Sequence, residues 1–361
     1  MSTLVLAFRF CERIFRKIKK RKEFTERTKD CTFALKYKTM NTTARNTRWQ
    51  RFVTEMRSTY KSMDTEEKWD IWVVRPIGFV EASVCRRLHI HPNAITIVSI
   101  LFGAASGYFF IPGNVEMVLI GALLLFFANT MDSADGQLAR MTKQYTMLGR
   151  VLDGFAGDIW FASIYLFMMA RMFVLPIPFT ATAWGWWGVA AIVVCGLVCH
   201  STQSTIADYY RNIHLHFLAG RDYTELVRSS DLTARRKNIT SWHGWFEWLW
   251  LFFYASYTRK QENWTPKLQR LLSAVGKRPV KELPEEFLRE FRTQSLPLMP
   301  MTNILTFNSR FFALVIAMLL GMPWLYLFYE MVVLTVLFCY MRHRHETMCE
   351  KLYHKWFAHE S

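Results

Sequence analysis

Four aspartates lie close together in the sequence and could jointly hold divalent cations. Asp132 and Asp135 come near the end of one long apolar stretch, and Asp153 and Asp158 come near the start of the next. Carboxylates at the edges of apolar helices are costly, and four of them would repel one another. Divalent cations relieve both penalties, and hard oxygen ligands of this kind suit Mg²⁺ or Mn²⁺. The sequence therefore predicts a metal site shared by two neighbouring helices.

The residues around these aspartates have a spacing that suits a phosphate-bearing ligand. Asp132 and Asp135 are three positions apart, so on a helix they share a face. Gly136 leaves room for a ligand beside the backbone, and Arg140 offers a fork of donors to a phosphate. An antiparallel second helix would bring Asp153 back opposite this face. The alternative for the carboxylates is a polar cluster with a structural or ion-conducting role.

Six apolar stretches are long enough, or nearly so, to cross a bilayer as helices, which takes about 20 residues each. Lys and Arg lie between these stretches, and this distribution in a chain of formal charge +16 favours a membrane protein over a nucleic-acid binder. Every second connection is basic, so the positive-inside rule puts both termini and the aspartates at the cytoplasmic side. The six stretches are 94–112, 115–131, 151–175, 182–202, 307–322 and 324–341.

Two further stretches have the pattern of helices that lie along a membrane. Residues 241–257 are crowded with tryptophan, which prefers the interface, and a seventh span there would break the alternation of charge. Residues 65–90 mix apolar and charged positions and predict an amphipathic helix, or a pair of helices, on the cytoplasmic face. The predicted fold class is therefore all-α: a polytopic membrane bundle of six transmembrane helices with cytoplasmic amphipathic and interfacial helices.

Composition divides the chain into segments. The N-terminal segment can lie on an anionic leaflet or form a disordered tail. Residues 258–292 are basic, but their aromatic residues lack a stacking pattern, so no nucleic-acid partner is predicted. The segments are a basic stretch at 1–45, juxtamembrane amphipathic helices at 46–93, a catalytic transmembrane core at 94–214, a cytoplasmic or interfacial insertion at 215–305, spans five and six at 306–342 and a cytoplasmic tail at 343–361.

The aspartates belong to a longer pattern that resembles the signature of the CDP-alcohol phosphatidyltransferase family. Residues 132–140 read DSADGQLAR, and after eight further residues come Gly149 and then Asp153. The family signature is DxxDGxxAR, eight or nine residues, and GxxxDxxxD. The upstream pair Asn93 and Thr96 is similar to the PNxxT element that opens the family's first helix. The resemblance covers about 85–230 and does not account for 1–45 or 215–300.

One position departs from that signature. The family expects its last aspartate four residues after Asp153, where this chain has Gly157, and Asp158 follows one residue later. On a regular helix a step of four returns to within about 40° of the starting face, whereas a step of five lands about 140° away. We therefore expect a π-bulge, permitted by Gly154 and Gly157, that turns Asp158 towards the other carboxylates. Otherwise Asp158 is not the family's fourth carboxylate.

The resemblance implies an enzyme with two metal ions, Mg²⁺ or Mn²⁺, that transfers a phosphatidyl group from CDP-diacylglycerol to a polar alcohol and releases CMP. Asp132, Asp135 and Asp153 would hold metal. Asp158, the second catalytic residue with Asp153, would contact metal or take the proton of the acceptor hydroxyl. The donor's acyl chains would stay among the membrane lipids. The residues expected beside the nucleotide are Asn93, Thr96, Gly136, Ala139, Arg140 and Gly149.

Three arginines are candidates to hold the acceptor beside this site, namely Arg150, Arg211 and Arg310. Family members hold inositol-phosphate acceptors with arginines, so an inositol phosphate is the first choice; positive-inside topology alone is the other explanation for each arginine. Alternatives for the whole chain are a phosphotransferase that moves phosphocholine or phosphoethanolamine from its CDP ester to diacylglycerol, a membrane transporter, and an inactive scaffold. The family also implies a homodimer.

Overall fold

In the part of the chain that the structure describes, six helices are long and apolar enough to cross a membrane, which confirms the predicted all-α membrane bundle. The computed structural model describes residues 48–60, 62, 64–219, 227–239, 244–276 and 278–358, so the basic segment at 1–45 lies outside it. The chain divides into two units, Met1–Val53 and Thr54–Ser361, and all six helices belong to the second. These candidate spans, numbered one to six, are Pro92–Phe109, Val115–Thr142, Leu152–Val174, Gly185–Leu218, Glu285–Leu319 and Pro323–Trp356.

The last three spans differ in length from the apolar stretches that predicted them. Span four continues to Leu218 rather than ending near 202, span five includes helix from Glu285 rather than beginning near 307, and span six continues to Trp356. In spans four and six the helix continues past the apolar stretch. In span five the helix Phe307–Leu319 begins where the sequence predicts it, and the separate helices Glu285–Ser295 and Met299–Ile304 precede it. The end of span six, from residue 343 to Trp356, was predicted as a cytoplasmic tail. It is a continuous part of the helix, and its residues Cys349 and Leu352 are each 1% exposed.

Spans one and three pack closely because small residues of span one admit large ones of span three. A Cβ added to Gly103 would lie 2.0 Å from the Trp160 ring, and one added to Gly107 would lie 3.0 Å from the backbone of Ser163. The Ser163 hydroxyl donates to the carbonyl of Ala104 at 2.7 Å. Close approach of this kind is typical of membrane helix pairs, and it fixes the span that carries Asp153 against its neighbour.

Substitution of Gly103 by leucine is expected to destabilise the protein, since the new side chain must occupy the space of the buried Trp160 ring. Overpacking a filled core costs about 1–3 kcal/mol or more, so the thermal unfolding midpoint in detergent should fall by several degrees. Ala105→Leu is the matched control, because Ala105 is exposed on the same helix. Equal midpoints for the two variants would contradict this packing.

An amphipathic helix before span one supports the span that carries Asp132 and Asp135. It combines a π segment, Asp70–Val74, with an α segment, Arg75–Arg87, and confirms the amphipathic helix predicted within 65–90. Its buried face contains Gly78, Phe79 and Ala82. A Cβ on Gly78 would lie 3.0 Å from the Thr130 carbonyl oxygen and 3.2 Å from the Ala134 amide nitrogen. The two helices therefore meet at backbone distance, one turn from the aspartates.

Asp70 packs against Asn308 of span five, and its ionisation makes the stability of the folded protein depend on pH. Its carboxylate accepts a hydrogen bond of 2.8 Å from the Asn308 side chain, and burial raises its pKa from 3.8 to about 6. The folded state therefore binds a proton more tightly than the unfolded state, and this group's contribution to stability falls as pH rises from about 4 to about 6. We expect Asp70→Asn to flatten the pH dependence of the unfolding midpoint over that window. An unchanged slope would contradict this assignment.

The described part of the segment between spans four and five is mostly helical. The tryptophan-rich helix is not among the six candidate spans, in agreement with the prediction that it is not a seventh span. Leu268 and Leu271 share one apolar core with Phe287 and with Leu352 of span six; we call it the outer core. The helices beyond the first three spans are Gly185–Val193, Val194–His200 (π), Ser201–Ala219, Ser229–Lys237, Trp245–Trp264, Pro266–Val275, Glu285–Ser295, Met299–Ile304, Phe307–Leu319, Pro323–Phe328, Tyr329–Val333 (π) and Leu334–Trp356.

Candidate active site

Three of the four predicted aspartates come together between spans two and three. One carboxylate oxygen from each of Asp132, Asp135 and Asp153 lies within 4.8 Å of the other two. The first two project from one face of the helix Val115–Thr142, and the third belongs to Met147–Val174. Asp135 is buried at 4% exposure, Asp132 is half-buried and Asp153 is exposed. The group is thus anchored in the bundle on one side and accessible on the other.

This donor set fits a hard divalent cation. Three carboxylates offer oxygen ligands and negative charge, which Mg²⁺ and Mn²⁺ prefer. The Thr96 hydroxyl donates to Oδ2 of Asp135 and lies 3.2 Å from the Pro92 carbonyl oxygen. Thr96 is 2% exposed, so its hydroxyl has a fixed position. A buried hydrogen bond to a ligating carboxylate orients it, which gives the threonine of the PNxxT element a physical role.

Asn93 connects the start of span one to the turn before Asp153. The Thr146 hydroxyl donates to Oδ1 of Asn93 at 3.0 Å and accepts from the Gly149 amide at 2.9 Å, which caps the helix that carries Asp153. A Cβ on Gly149 would lie 2.5 Å from Asn93 Oδ1 and 2.8 Å from Thr146 Oγ1. Position 149 must therefore be glycine for this hydrogen-bonded turn to form.

Arg140 folds back along its own helix towards the aspartates. A Cβ on Gly136 would lie 3.5 Å from Nη1 and Nη2 of Arg140, so the guanidinium lies over the glycine one turn before it. Gly136, Ala139 and Arg140 are all half-buried. This arrangement leaves a surface of small residues beside a fixed positive charge, next to the three carboxylates, and such a surface suits a phosphate group.

A layer of polar residues behind the aspartates was not predicted from the sequence. The buried Gln137 donates to the Arg75 carbonyl at 3.1 Å and to the Ser133 hydroxyl at 3.1 Å, and accepts from Thr59 at 3.0 Å. Arg75 donates to Ser133 at 3.2 Å and pairs with Glu66 at 2.7 Å. These contacts hold the turn that contains Asp132. The signal available in the sequence was the glutamine inside the signature itself, at a position that the family pattern leaves open.

The predicted π-bulge in span three is wrong. The helix Met147–Val174 is α-helical throughout. Among the described residues no atom lies within 4 Å of a Cβ placed at Gly154 or Gly157, so no close packing there distorts the helix. Asp158 therefore projects about 140° from Asp153 around the helix, as the regular five-residue step requires. It lies outside the three-carboxylate group and within electrostatic range of His200, Asp208 and Lys260. The π segments occur elsewhere, at Asp70–Val74, Val194–His200 and Tyr329–Val333.

The three arginines expected at the acceptor have different surroundings. Arg310 is 1% exposed. It donates to Glu330 at 2.8 Å, to Gln203 at 2.8 Å and to the Leu305 carbonyl, so all three nitrogens of its guanidinium donate hydrogen bonds within the protein. Arg211 is half-buried, and its Nε is buried without a hydrogen-bond partner among the described residues. The side chain of Arg150 lies outside the described part of the chain.

One family model matches part of the chain. The sequence model of CDP-alcohol phosphatidyltransferase matches residues 89–224, a range that contains all the aspartates, the PNxxT element and the first four spans. No curated protein and no solved structure matches the chain significantly. The matched range ends before the tryptophan-rich helix, which therefore lies beyond the family domain, whereas the outer core combines residues of span four inside that range with later helices.

Proposed function

From the CDP-alcohol phosphatidyltransferase domain that residues 89–224 form, we propose that this chain transfers a phosphatidyl group from CDP-diacylglycerol to a polar alcohol and releases CMP. The observation that carries the proposal is the grouping of Asp132, Asp135 and Asp153 in the register of the family signature. Placement of this group at the end of two apolar helices fits a donor whose acyl chains stay in the bilayer while its nucleotide reaches the carboxylates.

The roles follow from the contacts of each residue. Asp132, Asp135 and Asp153 would hold Mg²⁺ or Mn²⁺, which when bound supply positive charge to the donor's pyrophosphate. Thr96 keeps Asp135 in position through its hydrogen bond. Arg140, which lies over Gly136, would bind a phosphate oxygen of the donor. Asn93 and Gly149 shape the turn beside the nucleotide, and Ala139 leaves space for it.

Asp158 is our candidate for the base, although it lies outside the group of three carboxylates. Gly157 and Gly154 lie at about 40° and 100° around the helix from Asp153, between it and Asp158. Among the described residues no atom lies within 4 Å of a Cβ placed at either glycine, so we propose that substrate lies along this strip of the helix, which we call the groove. In the proposed step the acceptor oxygen attacks the β-phosphorus, the bond to CMP breaks, and the acceptor's proton goes to Asp158.

The acceptor of the sequence-based proposal, an inositol phosphate, keeps limited support. It depended on three arginines, and Arg310 is already bound to Glu330 and Gln203. Arg211, which has a buried Nε without a hydrogen-bond partner among the described residues, is the other described arginine of the three. The cytoplasmic orientation of the site and the homodimer stay part of the proposal, supported by the alternation of basic connections and by the family, respectively.

The test is a transfer assay with the full chain purified in detergent. CDP-diacylglycerol, Mg²⁺ or Mn²⁺ and a panel of alcohols are supplied, and release of CMP is measured with each alcohol and without any. Separate reactions supply CDP-choline or CDP-ethanolamine as the donor and diacylglycerol as the alcohol. Metal-dependent CMP release that requires an alcohol supports the proposal. A folded protein that releases no CMP from any of these donors would favour the scaffold or transporter alternatives.

The position of the base can be tested by moving the carboxylate by one residue. Asp158→Asn is expected to lower kcat by about 10²–10⁴-fold, the usual contribution of a general base, and to leave the donor KM unchanged. Gly157→Asp adds the family's carboxylate at a position with open space, so it should fold normally. The double variant should then regain part of the lost rate. Full activity of Asp158→Asn alone would show that another group takes the proton.

A further inference from the structure

We propose that Lys260 and Tyr257, from the tryptophan-rich helix beyond the family domain, complete the acceptor end of the site together with Asp158 and Asp208, and that this end takes a phosphate-free alcohol. The inference rests on the proposed transfer reaction. It differs from that proposal in assigning acceptor recognition to the added helix Trp245–Trp264. It also predicts which class of acceptor the enzyme prefers.

The added helix lies directly against the two spans that border the groove. At its first half, the Trp250 ring meets the Phe155 ring edge-on at a centroid distance of 5.4 Å, two residues from Asp153. At its second half, Nζ of Lys260 donates to the Ser201 hydroxyl of span four at 2.9 Å, and the Tyr257 hydroxyl lies 3.4 Å from Oδ2 of Asp208. The helix therefore contacts span three next to Asp153, and it contacts span four beside Asp208.

The side chains at this end form one electrostatic cluster. Asp158 interacts with both Lys260 and Asp208, and the Asn212 side chain donates to Asp208 at 2.9 Å. Burial lowers the pKa of the Lys260 ammonium, and Asp158 opposes that shift. A lysine held partly away from water beside a carboxylate is a pre-positioned donor for a hydroxyl oxygen. Its place next to Asp158 would orient an acceptor hydroxyl for loss of its proton.

The charge of this cluster decides the acceptor class. Asp158, Asp208 and Lys260 together carry one negative charge. Arg310 and His200 also interact electrostatically with Asp158, but both contact Glu330, and among the described residues no arginine hydrogen-bonds to Asp158 or Asp208. A phosphate dianion would meet repulsion here, whereas hydroxyl or amino groups would donate hydrogen bonds to the carboxylates. Arg310, which the sequence analysis assigned to the acceptor, is paired with Glu330. The cluster thus selects an uncharged polyol or an amino alcohol.

Matched acceptor pairs test the class. The full chain in detergent is given CDP-diacylglycerol and metal with inositol or inositol phosphate, and with glycerol or glycerol phosphate. We expect kcat/KM to be at least tenfold higher for the phosphate-free member of the preferred pair, and we expect Asp208→Asn to reduce that ratio. A wild-type preference for the phosphorylated member would overturn the proposed class. A wild-type protein that releases no CMP with any acceptor would instead overturn the transfer reaction on which the inference rests.

Charge removal on the added helix tests the assignment of Lys260. Lys260→Gln is expected to raise the acceptor KM by about tenfold, with kcat within about threefold and the donor KM unchanged. The control is Arg259→Gln, which removes the same charge from an exposed neighbour on the same helix and should match the wild type. An unchanged donor KM shows that the variant is folded. Transfer by Lys260→Gln with the wild-type acceptor KM would overturn the assignment.

Discussion

Replacement of Asp135 by asparagine is expected to lower kcat/KM for phosphatidyl transfer by about 10³-fold, because several kcal/mol of charge stabilisation depend on the ions that the three carboxylates hold. Asp135 is the most buried of the three, and its position is fixed by Thr96. Asparagine keeps the shape of the side chain and its hydrogen bond but removes the charge. The loss should therefore come with weaker Mn²⁺ binding, measured by the electron paramagnetic resonance signal of the free ion.

Two comparisons separate this effect from general damage. Asp231→Asn changes an exposed aspartate on the helix Ser229–Lys237 and should retain both activity and Mn²⁺ binding. Thr96→Val keeps the carboxylate but removes the hydroxyl that orients it, so its loss of activity should be smaller than that of Asp135→Asn. An Asp135→Asn protein with activity within tenfold of the wild type would contradict the role of this carboxylate.

Loss of Glu330 is expected to destabilise the folded protein by about 3–5 kcal/mol, the usual cost of leaving one partner of a buried ion pair alone. Glu330 is fully buried, accepts from Nε of Arg310 at 2.8 Å and lies 3.3 Å from Nδ1 of His200. Gln203 completes the group by accepting from Arg310 and donating to the Glu330 carbonyl. Spans four, five and six are thereby joined by one charged network, and Glu330→Leu should lower the thermal unfolding midpoint strongly.

The double variant distinguishes the pair from the two separate side chains. Arg310→Met combined with Glu330→Leu removes both charges, so it should be more stable than either single variant, because neither charge is left unpaired in the interior. As an exposed comparison, Glu350→Leu breaks the surface pair with Lys267 and should leave the unfolding midpoint unchanged. Additive losses in the double variant would argue against a direct interaction between Arg310 and Glu330.

The sequence predicted the parts of the site that depend on local periodicity. Asp132 and Asp135 share a face because they are three residues apart, and Asp153 joins them because a short turn returns the chain antiparallel. The prediction for Asp158 was wrong because a bulge depends on what packs against the helix, and among the described residues no atom packs on the Cβ positions of Gly154 and Gly157. A helix without such a packing contact keeps its regular α-helical hydrogen bonds.

Long-range pairing explains what the sequence analysis missed. Arg310 was assigned to the acceptor because it opens a span, but its partner Glu330 lies on the following span. The available signal was Glu330 itself, an ionisable residue inside an apolar stretch, which implies a partner within the bundle. Likewise, the contact of Lys260 with Ser201 joins residues 59 positions apart, and no local pattern indicates it.

The outer core has a consequence for how the chain is made. Two carboxylate oxygens of Glu346, on the last helix, accept from the amides of Lys267 and Leu268, and Leu352 and Phe357 cover Phe287. The ribosome therefore completes the helices Pro266–Val275 and Glu285–Ser295 well before it synthesises the residues that cap and cover them. A chain that ends before Leu334 lacks the residues of the last helix that cover these apolar faces. We therefore expect a stop codon late in the gene to impair folding.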